Sequence, residues 1–213
     1  MSSEAHPTDT QARGSGRKNR GNGSRRDILD AAARLFQQKG YDATSLRELA
    51  NAVGMKAGSL YYHFASKEQL AIEVLAIGVK AVTDNVSAHL KAAGPGVTPQ
   101  QRVSIAIRAH LESILSDGGY TSAHIRCFPY TPEAVQSQLR TVRRTYEDIW
   151  TGLIDDLAGL GERPEEARHI RLATLGALNW SLEWFDAERD DMEDYARTVE
   201  RLIIGASGNV NSG

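Results

Sequence analysis

Residues 44–67, TSLRELANAVGMKAGSLYYHFASK, are the stretch whose reading decides the fold. Thr44 and Ser45 are residue types that cap helix N-termini. Leu46, Leu49, Ala50 and Val53 recur behind them at helical spacing, and Gly54 ends the pattern. After a tight turn over 54–56 a second pattern begins, with Leu60 and Phe64 on its apolar side and Lys56, Ser59, Tyr62, His63 and Lys67 on its polar side. Two short helices joined by a glycine-containing turn make a helix-turn-helix. Such a unit lays its second helix in a DNA major groove, which calls for small residues where that helix starts and donors on its outer face. Ala57, Gly58 and Ser59 meet the first need; Ser59, Tyr61, Tyr62 and His63 meet the second.

Upstream, Ile28, Ala31, Ala32, Leu35 and Phe36 predict a support helix from Ser24 to Lys39, stopped by Gly40, that covers the apolar backs of the two short helices. Residues 1–23 are rich in Gly, Ser, Asn and Arg and have too little apolar surface to order themselves. They read either as a solubilising tail or as a basic arm that follows phosphates.

The 213-residue chain has a formal charge of -2, which is unexpected for a DNA binder until it is divided. Residues 1–70 hold 11 Lys and Arg against 7 Asp and Glu, a net of +4, and the remainder holds 14 against 20, a net of -6. A basic head on an acidic body suits a protein whose head alone meets a polyanion. Cys127 is the only cysteine, which excludes an internal disulfide and a thiolate metal cage. No apolar run is long enough to cross a bilayer and the N-terminus lacks a signal core, so we expect a cytoplasmic protein without membrane, metal or cofactor.

Downstream of Ser66, a periodic run to Ala93 predicts a long linking helix ended by Gly94, Pro95 and Gly96. Thr98 and Gln101 form a capping-box pattern for the next helix, whose inner face carries Val103, Ile107, His110, Leu111 and Ile114. A short helix and a break are expected over Tyr120 to Tyr130, then a helix from Thr131 and Pro132 to Gly159–Gly161. A helix from Pro164 to about Phe185 is apolar on two faces, and a last one runs from about Asp191 to Ile204. One neighbour cannot satisfy a two-faced helix, so these last two helices are expected to form a homodimer interface. The fold class is all-α with about nine helices. The division is a disordered basic tail over 1–23, a head over 24–69, a ligand-binding and dimerisation body over 70–206, and a disordered tail over 207–213.

The head pattern strongly resembles the DNA-binding head of TetR-type transcriptional regulators, on the residues from Thr44 to Ala50, Val53 to Phe64 and Ser66 to Glu68; the likeness covers about 26–72. It implies a homodimeric helical repressor on a palindromic operator in double-stranded DNA. By position it implies that Thr44, Tyr61, His63 and Lys67 contact phosphates, with Ser45 beside them. Ala57, Gly58, Ser59 and Tyr62 would lie near base edges and Lys56 at the groove rim. Ala57 and Gly58 offer little side chain for reading bases, which shifts specificity toward Tyr62, Lys56 and DNA shape.

The resemblance also implies a small-molecule effector bound between body helices. Its candidates are residues at inward or break positions: His110, Arg126, Phe128, Tyr146, Trp150, Asn179, Trp180, Glu183 and Trp184. The run over 177–185, ALNWSLEWF, is similar to a segment of TetR-type regulators that sense acyl-thioesters, implying an elongated apolar pocket with Arg126 or Arg171 at a cationic end. Two other classes compete. His124 and Cys127, three apart, would make a Cys-His nucleophile if they met, and a helical interaction module without DNA binding is the third possibility. We expect no enzyme.

Overall fold

The structure is a computed structural model and describes residues 25–115, 119–157 and 160–208. The proposed arm and most of the C-terminal tail lie outside these residues. Nine α-helices and one 3-10 turn are present among the described residues, with no strand.

The head opens with α1 (Arg25–Ala43), which contains Gly40 at φ 80°, the break the sequence predicts there. Glycine tolerates this left-handed backbone at little steric cost. The helix-turn-helix follows as α2 (Leu46–Ala52) and α3 (Ala57–Leu60). Ser45 is the N-cap of α2, its hydroxyl oxygen accepting from Glu48 N at 3.1 Å. Thr44 instead donates its hydroxyl to the Gly40 carbonyl at 2.8 Å and is buried. The turn uses Gly54 at φ 68°. Beyond α3, one further helical turn is held by His63 N and Phe64 N, both donating to the Leu60 carbonyl at 3.0 Å.

Then α4 (Lys67–Ala93) joins head to body. Its N-cap is Ser66, whose oxygen accepts from Gln69 N at 3.2 Å. It contributes Leu70, Ala71, Val74 and Leu75 to an apolar cluster with α1–α3, and Val79, Val82, Val86 and Leu90 to a second cluster in the body. The body contains α5 (Pro99–Leu115), α6 (Gly119–Cys127), the 3-10 turn Phe128–Tyr130, α7 (Glu133–Asp155), α8 (Pro164–Trp184) and α9 (Met192–Gly208). The capping box of α5 is complete: Thr98 N donates to Gln101 Oε1 at 2.8 Å, and Gln101 N donates to Thr98 Oγ1 at 3.2 Å. The end of α7 differs from the sequence expectation, falling at Asp155 rather than at the glycines near 160. Leu157 and Leu160 turn inward there and are buried, so the chain leaves the helix early.

The head is not a separate core, because Ala123 and Cys127 of α6 and Val135 and Leu139 of α7 belong to its cluster. Polar contacts reinforce the junction between α6 and α1. Tyr120 donates its hydroxyl to Asp30 at 2.5 Å, Cys127 donates to the Phe36 carbonyl at 3.2 Å, and Arg126 donates to the Gln37 carbonyl at 3.2 Å. On its other side α6 crosses α4 at Gly78, where a Cβ would lie 2.2 Å from the Tyr120 carbonyl oxygen.

One expectation is sharpened by α8. Only Ala167, Thr174, Leu178 and Ser181 are buried, while Leu172 and Ala173 are exposed and Trp180 is 66% exposed. The surplus apolar surface is therefore not absorbed within the protomer. A shallow groove of about 160 Å³ between α8 and α9 is lined by Ile170, Ala173, Ala177, Val199, Leu202 and Ile203 together with Thr174.

Candidate DNA-binding head and effector cavity

The outer face of the head is built by two short helices that spend their apolar residues inward. Leu49, Leu60 and Phe64 are buried, which leaves Tyr62 93% and Tyr61 56% exposed on the opposite side. Lys56, Ala57 and Gly58 are exposed too, and Ser59 and His63 are half-buried at their edge. The Ser45 hydroxyl uses its oxygen for the cap and keeps its proton for an outside acceptor.

Lys67 sits at the first turn of α4, its Nζ 4.2 Å above the Tyr41 ring and donating to the Asp42 carbonyl at 3.3 Å. Burial moves its pKa down from the usual lysine value. An ammonium has three donors, so one carbonyl leaves two for an anion. Thr44 is different, since its only hydroxyl proton is already given to Gly40.

In the body, a cavity of about 100 Å³ lies between α4, α5, α6, α7 and α8. His110 is its polar centre. Its Nε2 is 3.1 Å from Asn179 Oδ1 and its Nδ1 2.5 Å from the Tyr146 hydroxyl. Burial pushes His110 down to about 4, so the ring is neutral near pH 7. With Asn179 Oδ1 as acceptor, Nε2 carries the proton and Tyr146 donates to Nδ1. Trp150 closes the back of this pair edge-on, 6.2 Å from the His110 ring and 6.5 Å from Tyr146.

A second histidine lines the same cavity. The His124 ring stacks on Phe128 with centroids 5.2 Å apart, and its Nδ1 is buried without a hydrogen-bond partner. Burial and the Arg143 guanidinium push it down to about 3.

Of the sequence candidates, His110, Tyr146 and Asn179 line the cavity and Trp150 backs it; the others do not. Arg126, expected at a cationic end, is spent on structure. It donates to the carbonyls of Gln37 and Leu182 (2.7 Å), and its Nε lies 3.2 Å from Glu183 Oε1, so Glu183 is taken as well. Arg171 does not line the cavity either. Trp184 stacks edge-on to Tyr195 at 4.8 Å, Trp180 faces outward, and Phe128 lies under the Arg143 guanidinium at 3.8 Å. Sequence reasoning missed Gly78, Thr121 and Arg143, and saw His124 only as part of a nucleophile pair. The available signal was Gly78 itself, since an isolated glycine inside a helical pattern costs about 1 kcal/mol and asks for a packing reason.

The Cys-His pairing is not formed. Cys127 is buried with its thiol on the Phe36 carbonyl, and burial pushes it up to about 11, so it stays protonated. A larger groove of about 660 Å³ near Leu90, Arg102 and Asp156 is open and of mixed charge, without an unpartnered buried group. Among the described residues no His, Cys, Asp and Glu cluster could hold a metal, and no helix is long and apolar enough to cross a membrane.

A helix-turn-helix with an exposed aromatic face is thus carried on a helical body that holds a small, partly open cavity around His110. Residues 28–74 match the model of "Bacterial regulatory proteins, tetR family", and residues 96–206, half of the chain, match "Tetracyclin repressor-like, C-terminal domain". The chain belongs to the TetR family. It is 49% identical over 53 residues to the HTH-type transcriptional repressor KstR2 of Rhodococcus jostii, a match covering 25% of this chain and 26% of that protein. It is 28% identical over 211 residues to the HTH-type transcriptional activator FasR of Mycolicibacterium smegmatis, covering 94% of this chain and 91% of that protein. Its fold is similar to that of AibR in complex with isovaleryl coenzyme A and operator DNA, with TM-score 0.74 and 22% identity, covering 84% and 96% of the two chains.

Proposed function

We propose that the protein is a homodimeric transcriptional repressor, released from a palindromic operator when a small acyl-type effector enters the His110 cavity. The observation that carries the DNA half is Tyr62, 93% exposed at the tip of a helix-turn-helix whose apolar residues are otherwise buried. An aromatic side chain held in water on a basic head has no folding role, and base edges are its natural partner. In this reading Tyr62, Ala57, Gly58 and Ser59 lie near base edges and Lys56 at the groove rim. Ser45, Tyr61, His63 and Lys67 position the head on phosphates, as such contacts do in general. Thr44 acts by holding the α1–α2 turn rather than by donating to DNA. The functional division stays at 24–69 and 70–206, with α4 crossing it.

Homodimerisation through α8 and α9 is supported by Trp180 and by Leu202, which is 68% exposed, beside the apolar groove between these helices. The effector reading is supported by the unpartnered His124 Nδ1 in a cavity between five helices and by the isovaleryl coenzyme A of AibR. Coupling follows from packing. An effector that pushes α6 from α4 moves α1, because α6 has no clearance at Gly78 and is tied to α1 by Tyr120, Arg126 and Cys127. Two heads reach successive major grooves only at a separation of about 34–36 Å, so a small tilt breaks one set of contacts. KstR2 is a repressor and FasR an activator, so the sign is tested directly: the cognate effector should weaken operator binding, and tighter binding would refute repression by release. Sequence-selective, salt-dependent retention of DNA separates a regulator from an interaction module.

A further inference from the structure

We propose that the cavity takes only a short acyl end of the effector, and that a phosphate-bearing arm of the same molecule lies in the adjoining groove on Arg140, Arg143 and Arg144. This rests on the reading of the His110 cavity as the effector site.

Size comes first. At about 100 Å³ the cavity is smaller than the ~150 Å³ void that holds a benzene, and far below the roughly 300–1,000 Å³ of pockets that enclose a whole ligand. A steroid or a long acyl chain does not fit it; a few heavy atoms do. The rest of the molecule has to lie outside.

The groove beside the cavity has about 230 Å³ and shares Arg143 and Glu147 with it. Arg140, Arg143 and Arg144 fall on one face of α7 by their spacing, and all three line the groove with Phe128. Arg140 pairs with Glu133 and Arg143 with Glu147, each at 3.2 Å, and Arg144 has no acidic partner among the described residues. With Glu133 and Glu147 each holding one arginine, the groove keeps a surplus of one positive charge, on Arg144, and three guanidinium forks on one face, an arrangement that phosphate oxygens can share.

Hydrogen bonding selects the head of the ligand. Asn179 uses its oxygen for His110 and leaves its amide N–H groups to donate, and the buried His124 Nδ1 beside it has no partner. A thioester carbonyl at the mouth of the cavity answers the Asn179 amide. A plain hydrocarbon would leave the Asn179 amide and the His124 Nδ1 bare, an outcome that native interiors avoid.

The test is calorimetric titration of the full chain with butyryl-CoA, palmitoyl-CoA and S-butyryl pantetheine, which lacks the phosphates, followed by DNA release with each. Butyryl-CoA is expected to bind at least tenfold tighter than either of the other two. The surface variant Arg140→Ala/Arg144→Ala should drop butyryl-CoA to the level of the pantetheine thioester and leave the latter unchanged. Equal binding of butyryl-CoA and S-butyryl pantetheine, or a preference for palmitoyl-CoA, would overturn the proposal while leaving the cavity as effector site. If no thioester binds but an uncharged compound binds and releases DNA in a manner lost in Asn179→Leu, the proposal again fails and the cavity reading survives. Release that is insensitive to Asn179→Leu would remove both.

Discussion

Tyr146 donates its hydroxyl to Nδ1 of His110 across 2.5 Å, tying α7 to α5 inside the body. Removing that hydroxyl leaves a buried lone pair without a donor. Tyr146→Phe is therefore expected to destabilise by about 1–3 kcal/mol, read as a fall in melting temperature of roughly 2–4 °C per kcal/mol for a chain of this size. An unchanged melting temperature would mean that the bond is not made.

Both cavity histidines titrate far below the ordinary 6.5, at about 4 for His110 and about 3 for His124. The unfolded chain binds a proton at each as pH falls through about 6.5, and the folded chain does not until its own lower value. Stability from this source is fully present above about 6.5 and declines as pH drops toward 4, by up to about 1.4 kcal/mol per pH unit for each histidine. Urea unfolding between pH 7.5 and 5 stays above the carboxylate range and should show the decline. His124→Asn should roughly halve its slope; a flat profile in the parent chain would contradict the burial of both rings.

Gly78→Ala tests the crossing of α4 and α6. The new methyl would meet the Tyr120 carbonyl oxygen at 2.2 Å, and backbone on both sides cannot yield locally. A loss of about 1–3 kcal/mol is expected from forced separation. By contrast Gly152→Ala, with nothing within 4 Å of its added carbon, should be neutral or slightly stabilising, and equal behaviour of the two would refute the close approach.

How legible all this was in the sequence depends on what a feature's signal is made of. The head was legible down to single residues, since its caps and stops are local: Ser45, Gly40 and Gly54 sit where the spacing put them. The end of α7 was not, because Leu157 continues the apolar period yet packs from a turn. A quarter of the candidate cavity's lining was readable from inward polar residues on helical faces, namely His110, Tyr146 and Asn179. Arg126 misled because a half-buried arginine can satisfy itself on backbone carbonyls, and those of Gln37 and Leu182 come from helices far away in sequence. Likewise, nothing local distinguishes Trp150, a wall, from Trp180, which is exposed.

Trp180→Glu addresses the subunit interface. The side chain is 66% exposed in the protomer, so the substitution should leave its folding within about 0.5 kcal/mol while placing a charge in an apolar contact. Light scattering at micromolar concentration is expected to find a dimer for the parent chain and a monomer for the variant, with DNA affinity lost alongside. A monomeric parent chain would remove the interface altogether.

Tyr62→Ala separates recognition from stability. At 93% exposure the ring contributes nothing to the core, so the melting temperature should hold while specific DNA affinity falls about tenfold or more. Retained affinity would shift base reading to Lys56 and DNA shape.

The account stands most directly on selection of bound DNA from a random-sequence pool by the full chain. It predicts an enriched palindrome whose half-sites are centred about one helical turn apart, some 10 base pairs, as two heads of one dimer require. Enrichment of no motif, or of a single half-site without symmetry, would contradict a dimeric regulator that reads DNA through the face around Tyr62.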